Sequence, residues 1–270
     1  MAIQGEWIRY GSQVGYFARP DRAKTPLPSV VVIQEIMGVN DQIEDITRRI
    51  AAAGYAALAP DLYVKDGERP AALLRDRVDE AMAFMQTLPP AARFDTTVRD
   101  AAMAGMPEER RTRILESFGA IFSQSKLLPS FVQPLREAVS YLRYERQETK
   151  GRKVGCVGFC MGGGLSALLA CEEDELSAAA MYYGKDPEPE KIAAIGCPVL
   201  AFYGSLDERV TSTLPAFALA MKAAGKSFES HVYDGANHSF FNDSGPGYNV
   251  DAARDSFARL LGFFAANLTG

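Results

Sequence analysis

The sequence predicts an α/β fold, a mostly parallel eight-stranded sheet flanked by helices on both faces, with a helical excursion inserted before the fifth strand. Three observations predict it. Short apolar runs alternate with longer amphipathic segments along almost the whole chain. Glycines cluster where apolar runs give way to helical patterns, which is where tight βα turns are made. The chain has 270 residues, 47% hydrophobic and 23% charged, enough to bury the core of one domain over 1–270.

The elements follow in order. Strands are expected near 5–10 and 13–18, then at 29–34, where Ser29-Val30-Val31-Val32-Ile33-Gln34 reads as a buried run. An amphipathic helix over 41–53 leads to a fourth strand at 55–60. Later strands are expected near 153–158, 178–183, 198–203 and 228–233, with helices over 132–147, 162–172, 212–224 and 250–266. The last helix carries Ala253, Phe257, Leu260, Leu261 and Phe264 on one face, the pattern of core packing.

Between the fourth and fifth strands lies an excursion, residues 70–130, bounded and broken by Pro70, Pro89, Pro90, Pro107 and Pro129. Val78, Met82 and Met85 share one helical face, and Ile114, Phe118, Ile121 and Phe122 share another. It is expected to cap the sheet ends and shape a pocket. The alternatives are an outer packing layer or an oligomer contact.

The charge balance, 29 basic against 34 acidic residues, argues against nucleic acid or an anionic membrane as partner. No apolar stretch approaches the roughly 18 residues of a membrane span, and the first residues lack a secretory leader's pattern. A cytoplasmic protein, monomer or homodimer, is expected. The four cysteines and two histidines show none of the paired short spacings of zinc sites, so no metal and no cofactor is implied. Cys156, Cys171 and Cys197 fall inside predicted elements or at a strand start and read as small buried hydrophobes.

The chemistry gathers at strand ends. Gly158-Phe159-Cys160-Met161-Gly162-Gly163-Gly164 is a G-x-C-x-G turn between an apolar run and a helical segment. Such a turn exposes its central side chain at a helix N-terminus, where the macrodipole and free N–H groups favour a thiolate. A structural cysteine in a glycine-rich turn is the alternative. Asp207 leaves the strand ending at Gly204, and His238 lies in the loop after the strand carrying His231, which itself reads as structural. The order Cys160, Asp207, His238, each past a successive predicted strand, is that of α/β-hydrolases. Taken singly, the aspartate is also an ordinary turn former and the histidine an ordinary loop residue.

With Gln34-Glu35-Ile36-Met37-Gly38 added, these motifs resemble the dienelactone hydrolase family over roughly residues 5–65 and 135–268. The resemblance implies a carboxylic ester hydrolase with catalytic Cys160, His238, Asp207 and Glu35. In it the glutamate meets the resting thiol, the Ile36 and Met161 N–H groups form the oxyanion hole, and an acyl-thioester is the intermediate. Lactones or dienelactone-like small esters are the expected substrates. Tyr183, Ser239, Asn242, Arg93 and Arg99 are the substrate-binding candidates. The family reads a substrate carboxylate with arginines, one of them four residues after the histidine, where this chain has Asn242. Competing readings are a promiscuous esterase or organophosphate-cleaving hydrolase with the same triad, a redox-active thiol protein, and a ligand-binding protein on a hydrolase scaffold.

Overall fold

In the computed structural model, which describes residues 2–65, 67–89, 95–124 and 127–269, the sheet has eight strands in the order β1-β2-β4-β3-β5-β6-β7-β8. These are β1 Ile3–Tyr10, β2 Gln13–Pro20, β3 Ser29–Ile33, β4 Ala56–Pro60, β5 Val154–Phe159, β6 Leu176–Tyr182, β7 Val199–Gly204 and β8 Phe228–Tyr233. β2 runs antiparallel to both β1 and β4, and every pairing from β4 to β8 is parallel. The central strands β3, β4, β5 and β7 are buried along their whole length, as the unbroken apolar runs require.

Helices cover both faces. On one, α1 (Asp41–Ala52) and α9 (Val250–Leu268) pack Ile43, Ile46, Ile50, Leu260 and Phe264 against Val30, Val32, Val157 and Phe202. α1 starts where Asn40 caps the Ile43 N–H at 3.1 Å. On the other face, α5 (Val132–Ser140), α6 (Met161–Glu172) and α8 (Leu214–Ala223) bury Leu135, Val139, Leu165, Leu169 and Met221.

Two predicted helices are broken. The 132–147 segment leaves α-helical geometry at Tyr141 for a π-helical turn, Tyr141–Glu145, and ends at Arg146 in extended backbone. Long-range contacts cause this: the Arg146 guanidinium lies 3.9 Å from the Phe17 ring centroid, and Thr149 Oγ1 donates to the Leu142 carbonyl. The 212–224 segment starts earlier, as the short helix α7 (Glu208–Thr211), and restarts at Leu214 with Pro215 in its first turn, where a missing N–H costs nothing.

The described part of the excursion is helical: a 3₁₀ turn at Ala71–Leu73, α2 (Arg75–Gln86), α3 (Thr96–Met103) and α4 (Glu108–Ser123). Leu73, Val78, Ala81, Met103, Ile114 and Ile121 join the same apolar cluster as Tyr63, Met161 and Ile33, with Ile36 and Met37 packed against it. The excursion therefore buries apolar side chains in the same cluster as residues of the sheet. Arg110 and Arg113 face Glu80 and Asp76. No helix among the described residues is long and apolar enough to cross a membrane.

Candidate active site

Parallel strands deliver their C-terminal ends to one edge, and the turns there converge. Cys160 follows β5 directly with φ 53° and ψ −112°, a backbone that few non-glycine residues adopt. Its neighbours make the turn possible. A Cβ on Gly158 would sit 1.9 Å from the Gly162 carbonyl oxygen, and one on Gly162 would meet the Ile33 oxygen at 2.4 Å. The Cys160 N–H is fixed by the Tyr182 carbonyl at 3.0 Å, and the side chain is only partly buried at the start of α6.

Tyr183 (φ 38°) and Ser239 (φ 61°) are the other two non-glycine residues in left-handed backbone among the described residues. Such conformations cost about 1–3 kcal/mol each and persist where surrounding structure over-determines them. All three lie at this edge, after β5, β6 and β8. The Tyr183 and His238 rings are 5.0 Å apart.

Asp207 N-caps α7 without spending its carboxylate on the helix, and Oδ2 lies 2.5 Å from His238 Nδ1. Burial alone would lower the pKa of His238. The hydrogen bond to Asp207 and the one to the Cys160 sulfur outweigh it and push the imidazole up to about 10. The His238 ring thus meets the Asp207 carboxylate through Nδ1 and has Cys160 close by.

Glu35 is buried beside them. Tyr183 Oη donates to its Oε1 at 3.1 Å, and the Asn242 amide lies near the same carboxylate. Burial raises its pKa, more than the nearby His238 charge and these two neighbours lower it. Its described side-chain hydrogen bond comes from Tyr183, while Cys160 lies near His238.

The substrate-binding candidates divide. The Tyr183 hydroxyl is spent on Glu35, and Asn242 Oδ1 accepts from Ser244 N at 3.0 Å and Ser244 Oγ at 2.7 Å. Ser239 adjoins His238 and is partly buried. Arg99 stacks on Phe118 at 5.0 Å from the ring centroid, and no described hydrogen bond or ion pair joins it to Cys160, His238 or Glu35. Arg93 lies outside the described residues. No described hydrogen bond uses the Ile36 or Met161 N–H, so both donors stay available beside the turn.

Sequence reasoning missed Tyr63, whose hydroxyl donates to the Ile36 carbonyl at 2.5 Å, and the buried pair of Arg69 Nε with Asp61 Oδ2 at 2.6 Å. The signal was present, since Asp61 and Tyr63 sit just past the end of β4 as the other site residues sit past their strands.

Known proteins match this arrangement. The dienelactone hydrolase family profile matches residues 14–268. A protein of Saccharolobus solfataricus assigned as a carboxymethylenebutenolidase is 34% identical over 250 residues, 92% of this chain and 91% of the relative. The carboxymethylenebutenolidase of Pseudomonas putida is 29% identical over 90% of this chain and 87% of its own. The crystal structure of a protein from Klebsiella pneumoniae assigned as a dienelactone hydrolase superposes with a TM-score of 0.70 at 26% identity, covering 98% of this chain and 99% of that one. The chain belongs to the dienelactone hydrolase family and is a carboxylic ester hydrolase.

Proposed function

We propose that this enzyme cleaves small carboxylic esters, lactones above all, through a Cys160–His238–Asp207 triad and an acyl-thioester. The observation that carries the reading is the His238 ring held between the Asp207 carboxylate and the Cys160 sulfur, with the sulfur at the N-terminus of α6. A cysteine at a helix N-terminus with an imidazole beside it is the arrangement that activates a thiol as a nucleophile.

The Cys160 sulfur attacks the carbonyl carbon, and the π electrons move onto oxygen, where the Ile36 and Met161 N–H groups bind them. Each such donor is worth ~10²–10³ in rate. Collapse expels the alkoxide, which takes the His238 proton, leaving the thioester; in a lactone the new alcohol stays tethered. His238 then accepts a proton from water as the oxygen attacks the thioester. The second collapse releases acid and restores the thiolate. Asp207 keeps the imidazole oriented and stabilises its charged form. Glu35, buried and accepting from Tyr183, lies close enough to His238 for their charges to interact. The excursion closes over this edge as a cap within a single domain, supported by its shared apolar cluster with Ile36, Met37 and Met161.

The family's name and those of the relatives point to lactone substrates. The test is hydrolysis of lactones, neutral aryl esters and an aryl phosphotriester by the parent and by Cys160→Ala. Lactones and esters should be cleaved by the parent and lose at least ~10³ in rate in the variant. Cleavage of the phosphotriester alone, or a fully active variant, contradicts the reading.

A further inference from the structure

The turn that carries the Ile36 N–H is anchored by groups the triad does not use. In Glu35–Gly38 the Glu35 carbonyl accepts the Gly38 N–H at 3.1 Å. A trans peptide points its N–H away from its carbonyl, so this bond sets the direction of the Ile36 N–H. The next peptide is tied from outside the turn by the 2.5 Å bond from the Tyr63 hydroxyl to the Ile36 carbonyl.

Tyr63 is itself immobilised. It is 1% exposed, its N–H bonds Asp61 Oδ1 at 3.1 Å, and its ring lies under the Arg69 guanidinium at 5.9 Å. Arg69 pairs with Asp61 and also donates to the Val39 carbonyl at 3.0 Å and the Leu73 carbonyl at 3.3 Å. One clasp thus joins the end of β4, the first turn of the excursion, and both ends of the loop before α1. The fit is close: a Cβ on Gly38 would meet both Arg69 Nη2 and the Tyr63 ring at 3.1 Å. Burial also keeps the phenol neutral, and so a donor.

We propose that Tyr63 is a positioning residue for the reaction, holding the Ile36 N–H on the developing oxyanion through the Ile36 carbonyl. Without the hydroxyl, the 36–37 peptide loses its outer tie and the neighbouring N–H loses its aim, while the sulfur and imidazole stay in place. The inference rests on the reading of Cys160 as nucleophile and Ile36 as oxyanion donor.

The experiment compares the parent, Tyr63→Phe, Tyr63→His and Cys160→Ala in three measurements: ester turnover, the rate ratio of an ester to its thionoester, and alkylation of Cys160 by iodoacetamide. The thionoester places sulfur where the oxyanion forms and weakens the N–H contacts. Alkylation forms no oxyanion. Tyr63→Phe should lower kcat about tenfold, a fraction of the cost of a lost donor, with KM within about twofold. Its ester-to-thionoester ratio should shrink and its alkylation rate should match the parent's. Tyr63→His, which restores a donor, should recover part of the ratio. The ratio does not depend on the fraction of folded enzyme, so a partly unfolded variant still reports. A parental kcat in Tyr63→Phe, or kcat and alkylation falling together at constant ratio, overturns the proposal and leaves Cys160 as nucleophile. Undiminished turnover by Cys160→Ala overturns the underlying reading instead.

Discussion

The Tyr183 hydroxyl donates to Glu35 Oε1 at 3.1 Å, joining the residue after β6 to the residue after β3 across the Cys160 turn. It gives a buried carboxylate a neutral donor, and no arginine or lysine pairs with that carboxylate among the described residues. Burial raises the pKa of this carboxyl, and the Tyr183 donor works against that rise. That arrangement tunes charge without competing with the Asp207–His238 pair for a cation.

Tyr183→Phe should therefore raise the pKa of Glu35 further, because burial still penalises the anion while one donor is gone. The acid limb of kcat/KM against pH should move to higher pH, and Glu35→Ala should change the alkylation rate of the substrate-free enzyme. Superimposable profiles and equal alkylation rates would return Glu35 to a purely structural role.

Asn242 is 5% exposed, its Oδ1 accepts from Ser244 N and Oγ, and its amide lies near Glu35. Asn242→Ala should cost about 1–3 kcal/mol in urea denaturation by leaving those groups unpaired. If Asn242 has only this structural role, KM for anionic and neutral lactones should change by the same factor. A selective rise for the anionic substrate would make Asn242 a substrate contact.

His238 supplies a pH test whose sign follows from its raised pKa, about 10 in the folded chain. An unfolded imidazole titrates near ~6.5. The native state binds the proton more tightly, so this contribution to stability is complete below about 6.5 and is lost as pH rises through about 10. Asp207→Asn removes a main cause of the shift. The stability difference between parent and Asp207→Asn, measured by denaturation, should shrink as pH rises through that window, and a constant difference would contradict the coupling.

Most of the fold was legible because parallel strands are buried on both sides and read as unbroken apolar runs, as Ser29–Ile33 and Val199–Gly204 do. Cys160, Asp207 and His238 were legible for a related reason: a residue just past a parallel strand is bound to reach one edge. The π-helical turn at Tyr141–Glu145 was not, since it depends on Arg146 meeting Phe17, more than a hundred residues away in the chain. Nor was the partner of Asn242, because position four after the histidine fixes its place but not the direction of its side chain.

The excursion yields a further test. Phe118 and Phe122 pack with ring centroids 4.5 Å apart, and Arg99 lies over Phe118. Phe118→Ala should cost about 3 kcal/mol. If the excursion caps the site, Phe122→Ala should also reorder the preference among acyl groups, and Arg99→Glu should raise KM for anionic lactones selectively. Loss of stability with the parental substrate ranking would make the segment an outer layer.

The central claim is that the Cys160 sulfur carries the acyl group. Intact-protein and peptide mass spectra of enzyme quenched during turnover of an aryl ester test it most directly. One acyl adduct per chain is expected, on the peptide containing Cys160, removed by hydroxylamine and absent in an inactive Cys160→Ala. An adduct on another residue, or full turnover by Cys160→Ala, would contradict it.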